Sequence, residues 1–131
     1  MSDDVTMVVE RLIARWTAKD TTGVSRLFSE DLRWWTAPVP GAPWPTVVRN
    51  RREVEAFFLA FQSVLELTGV TTRGLVVHRP EAVLMGRLHA RVVASHLPVS
   101  CEFALSISLR GGLIHEFRVY ADTFVLARAL A

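Results

Sequence analysis

The chain has one cysteine, Cys101, and one lysine, Lys19, in 131 residues. A single thiol excludes an internal disulfide framework. Cys101 falls in a period-two apolar series with Val99, Phe103, Leu105 and Ile107, so it reads as a small buried hydrophobe. The other fourteen basic residues are arginines, and the formal charge is only +2. Their densest run, Arg49, Arg51 and Arg52 in "VVRNRREVEAFF", does not continue as a basic stripe interleaved with aromatics, so no nucleic-acid partner is expected. No apolar run approaches the roughly 18 residues of a membrane span. The start, MSDDVTMVVERL, is acidic and amphipathic, unlike a secretory signal. The expectation is a soluble, cytoplasmic protein. Histidine pairs at ligand spacing, a glycine-rich loop before a helix and a Ser/His/Asp context are also missing. Hence no metal, no nucleotide cofactor and no serine nucleophile are expected.

What is present is apolar: half the residues, against 21% charged, which excludes disorder. The length suits one domain, residues 1–131, burying roughly two-thirds of the surface its unfolded form exposes. Val5, Val8, Val9, Leu12, Ile13 and Trp16 recur at helical spacing, with Asp3 or Asp4 placed to cap the start. A second short helix is expected from about Thr22 to Ser29, then a strand over "DLRWWT" stopped by Pro38. The loop "PVPGAPWPTVV" holds four prolines and should be ordered. Residues 51–66 return to helical spacing, with Gly69 as the stop. Strand-like runs follow near 70–79, 82–96, 98–110 and 113–124, separated by turn-forming segments. Helices followed by antiparallel strands predict an α+β domain, in which a curved sheet covered by helices leaves a pocket between the layers.

Two strands carry polar rows. In 83–95 the even residues are apolar, while Arg87, His89 and Arg91 share the other face; in the last run Glu116, Arg118, Tyr120 and Asp122 do the same. Periodicity leaves open whether such a row is functional or merely solvated, because antiparallel sheets commonly wet one side. His78 and His96 fall at strand ends, and His115 on a largely apolar face.

Three segments carry a family resemblance: "DLRWWTAPVPGAP…RNRREVEAFF", "VLMGRLHARVV" and "GLIHEFRVYADTF". In order and spacing they resemble the SnoaL-like branch of the NTF2-like superfamily, with its ketosteroid isomerases, polyketide cyclases and limonene-1,2-epoxide hydrolases. The resemblance implies a cone: N-terminal helices packed on a strongly curved, mostly antiparallel sheet around a largely apolar pocket. It also implies a homodimer built on the outer sheet face. Asp122 matches the last-strand aspartate that acts as base in the epoxide-hydrolase-like members, and Arg87 and His89 match their Arg-x-Asp. Trp34 and Thr36 fall where those members hold water with tyrosine and asparagine. An indole donates only, so this pair cannot hold a water by the same contacts, which weighs against epoxide hydrolysis among the hydrolase, isomerase and cyclase chemistries the resemblance implies.

The resemblance therefore implies a cofactor-free acid/base enzyme, an isomerase, cyclase or hydrolase of a small hydrophobic metabolite. In it Asp122 is the base, His89 the acid or proton shuttle and Arg87 the group that orients them. Trp34, Thr36 and Tyr120 would contact the substrate. The alternative on the same fold is a non-catalytic protein that binds a hydrophobic ligand, or a dimeric interaction module.

Overall fold

A computed structural model describes residues 4–131. The first helix, α1 (Asp4–Thr17), buries Val5, Val8, Val9 and Leu12, as the spacing predicts. Of the two cap candidates, Asp3 lies outside the described residues, and Asp4 is the first helical residue. Helix α2 (Thr21–Ser25) is capped by Asp20, whose carboxylate accepts from Gly23 N at 2.9 Å. It is shorter than its apolar residues suggest. Phe28, fully buried, already opens strand β1 (Phe28–Thr36), and Leu27 O accepts from Ile114 N at 2.8 Å. Pairing across the sheet overrides the last four residues of the expected helix.

Strand β1 stops before Pro38. The proline-rich segment after it anchors Val39 and Trp44 in the core and then forms the two-residue strand β2 (Val47–Val48), which pairs with Trp34 and Trp35. Helix α3 (Arg51–Val64) starts at Asn50, whose side chain accepts from Glu53 N at 3.0 Å, while Glu53 Oε1 accepts from Arg49 N at 2.8 Å. It buries Val54, Phe57, Phe58 and Phe61.

The expected stop at Gly69 is not where α3 ends. Leu65 is extended and fully buried, so the helix passes straight into strand β3 (Leu65–His78), and Gly69 sits at a register shift within that strand. Strands β4 (Glu81–Val92), β5 (Pro98–Arg110) and β6 (Leu113–Ala121) follow. The last run ends earlier than its alternation suggests. Asp122 caps a further helix, α4 (Thr123–Leu130), by accepting from Val125 N at 3.2 Å.

The six strands lie in the order β2-β1-β6-β5-β4-β3, with β1 parallel to β6 and every other pair antiparallel. This mixed sheet curves without closing into a barrel, and its inner face with the helices forms an NTF2-like cone. On β4, Leu84, Leu88, Ala90 and Val92 are buried and Val83, Met85, Arg87 and Arg91 exposed. Gly86 leaves room for its cross-strand partner: an added Cβ would lie 2.7 Å from Thr71 O and 2.9 Å from the Phe103 ring. Among the described residues no helix is long and apolar enough to cross a membrane.

Candidate ligand cavity

Inward-facing side chains from every layer surround a cavity of about 60 Å³ between the helices and the inner sheet face. Trp16 of α1, Trp34 of β1, Trp44 of the proline-rich segment and five phenylalanines supply most of its wall. The rings hold one another in place. Trp34 lies 4.8 Å from Phe57 and 4.6 Å from Phe117 between centroids, while Trp16 meets Phe58, Phe61 and Phe103 edge-on at 6.4, 6.0 and 6.0 Å. Leu88, Val119, Ala121 and Leu126 fill the remaining sides. No lining side chain is ionisable.

The polar atoms here are few. Trp34 Nε1 donates to Thr36 Oγ1 at 2.5 Å, both side chains buried, so that indole donor already has its acceptor. Trp16 Nε1 is buried and bonded to nothing among the described residues. Leaving a buried donor without a partner costs on the order of 1–3 kcal/mol.

Of the sequence-derived candidates, Trp34 and Thr36 line this cavity, and Arg87, His89, Tyr120 and Asp122 do not. The reason is the strand's period of two. Leu88 faces the cavity, so Arg87 and His89 face the other way. On that outer face Arg87 Nε donates to Glu102 Oε2 at 2.5 Å and Arg73 to Glu102 Oε1 at 2.6 Å. Arg87's hydrogen bond first, and Arg73's with it, holds the Glu102 carboxyl below its ordinary range against a smaller opposing effect of desolvation. His89 shares hydrogen bonds with the hydroxyls of Thr71, at 3.1 Å, and Ser100, at 2.9 Å. Tyr120 is 44% exposed, its ring 5.5 Å from Trp35. Asp122 is exposed at the start of α4, its carboxylate used as the cap. The expected convergence of Arg87, His89 and Asp122 on one pocket is therefore not what the fold produces.

Cys101 is buried, as its alternation predicts, and burial foremost pushes its thiol pKa up. Sequence reasoning read Trp16 only as part of a helical apolar stripe and did not single out the phenylalanines of α3 as wall residues. Ring content gave no signal by itself, because aromatic side chains fill cores as readily as they line cavities.

The comparisons agree with this fold. A family model described as the SnoaL-like domain matches residues 9–117, and the chain belongs to that family. No curated protein matches it. Among solved structures, a Bacillus subtilis protein provisionally described as an isomerase superposes with a TM-score of 0.86 at 17% identity, over 97% of this chain and 92% of that one. An NTF2-like protein of unknown function from Burkholderia pseudomallei gives 0.87 at 17%, over 98% of each chain. TerC, co-crystallised with polyporic acid, gives 0.86 at 13%, over 97% of this chain and 98% of that one. At these identities the likeness is one of fold.

Proposed function

We propose that this protein binds a small, uncharged hydrophobic metabolite in the ring-lined cavity, without an acid/base pair formed by Asp122 and His89. The observation that carries this reading is the wall itself: aromatic and aliphatic but for Thr36, with no ionisable side chain. Such a wall favours apolar groups and penalises buried charge. At about 60 Å³ the space is below the roughly 150 Å³ that takes a benzene ring. A cyclic ligand therefore enters with a shift of the rings, and tryptophan emission reports it.

Turnover of isomerase or cyclase type is the second reading, favoured by the Thr36 hydroxyl in the cavity wall. In a water-poor site a hydroxyl can polarise a carbonyl, and confinement alone brings the ends of a flexible substrate together. Hydrolysis needs a base to activate water, and no ionisable side chain lines this wall.

The test is titration with a panel of uncharged cyclic ketones, lactones and aromatic hydrocarbons, followed by tryptophan emission. Ala121→Leu fills the cavity, and the smaller Val119→Ile serves if the first loosens the fold. Overpacking of this kind is expected to weaken binding about tenfold or more. The triple variant Arg87→Gln, His89→Gln, Asp122→Asn should bind as the parent does. Affinity lost in the triple variant and kept in the filled ones would sink the proposal.

A further inference from the structure

We propose that the indole N–H of Trp16 is a recognition donor, and that the ligand carries an acceptor oxygen, as a ketone, ester or ether does, and no charge. This rests on the cavity being the ligand site and narrows what the cavity takes. Trp16 Nε1 is buried without a partner, on a side chain that lines the cavity. The neighbouring indole differs in the one relevant respect, because Trp34 has its acceptor in Thr36. Of the two indole donors on lining side chains, one is thus used internally and one is left, closed off until the rings shift to admit a ligand.

The unused donor is also held in position. Phe58, Phe61 and Phe103 meet the Trp16 ring at interplanar angles of 63°, 67° and 79°, from two different elements. A donor whose orientation is set before binding loses little freedom when a ligand arrives. The Thr36 oxygen already accepts from Trp34, and no carboxylate lines the space. An ammonium ligand has no counter-charge there, and a carboxylate ligand meets no cation. A neutral molecule with an acceptor oxygen matches the wall on each count.

Three probes of similar shape separate the possibilities: cyclohexanone, methylenecyclohexane and cyclohexylammonium. The readouts are affinity and the indole N–H resonance of Trp16, assigned by its disappearance in Trp16→Phe. Cyclohexanone should move that resonance, methylenecyclohexane should leave it nearly in place, and cyclohexylammonium should not bind. In Trp16→Phe the ratio of ketone to hydrocarbon affinity should fall about two- to tenfold, the size of one hydrogen bond, with the hydrocarbon holding its affinity as the internal control.

An unchanged ratio together with an unmoved resonance overturns the proposal and leaves the cavity reading intact. It would mean that the N–H is directed at the ring faces of its neighbours, a weaker partner. If neither neutral probe binds, the cavity reading itself fails.

Discussion

Asp122 shows how one residue can satisfy two patterns that demand different chemistry. At its offset from the Gly-x-Ile turn it matches a catalytic carboxylate. In the structure its Oδ1 accepts from Val125 N and begins a helix. The two roles respond differently to substitution. Asp122→Ala should lower stability by about 0.5–2 kcal/mol, and Asp122→Asn, which keeps an acceptor, by a few tenths at most. Denaturant unfolding of both variants decides it; a cap is excluded if the two lose equal stability. The Glu102 carboxylate supplies a second expectation at this scale. Its pKa is lowered in the folded chain, so the stability it contributes is present above the ordinary carboxylate pKa, about 4.3, and is lost as pH falls through the lower folded value. Melting temperatures across pH 2 to 6, with roughly 0.1 M salt, should show an acid limb that flattens in Glu102→Gln. An identical limb in the variant would remove Glu102 from the account.

Among the elements, α1 and α3 were legible because their apolar residues keep a 3.6 period over fourteen residues each. The faces of β4 and β5 were legible from strict alternation. Boundaries were harder to read, since they are set by contacts distant in sequence. Nothing local tells Phe28 to leave a helical pattern; its parallel pairing with Ile114 does. Gly69 resembles a helix stop, and only the pairing of Leu65 with Val92 shows that the strand has already begun. Helix α4 was missed because its alternation with β6 continues smoothly up to the cap. The cavity was half legible: the resemblance led to Trp34 and Thr36, and it could not reveal which face of β4 turns inward. Leu88 held that information, being apolar on the apolar side. Gly86 marks a close approach between elements. Gly86→Ala should cost about 1–3 kcal/mol, because Thr71 O and Phe103 would both have to give way. Thermal melting checks it, and a neutral result would mean that the β3–β4–β5 packing is looser than the contacts indicate.

Taken as one body, the molecule uses the same aromatic rings to hold itself together and to line its cavity. Phe57, Phe58, Phe61 and Phe117 belong to the continuous core and to the wall at once. A ligand that displaces them therefore acts on the packing of three layers, and affinity and stability are coupled through these side chains. The outer face carries Arg73, Arg87, Glu102 and His89, and takes no part in that packing.

The parallel seam between β1 and β6 bears on how the chain reaches this state. It joins Trp34 to Phe117, opposite each other in register, while β3–β4, β4–β5 and β5–β6 are each joined by a short turn. Hairpins close cheaply because their loops are short, and a seam between residues roughly eighty positions apart carries a larger loop-closure entropy and slows folding. Until β6 is made, β1 has only the two-residue β2 beside it. The two rings that meet across this seam are cavity wall, so the pocket is completed only when the first strand finds the last.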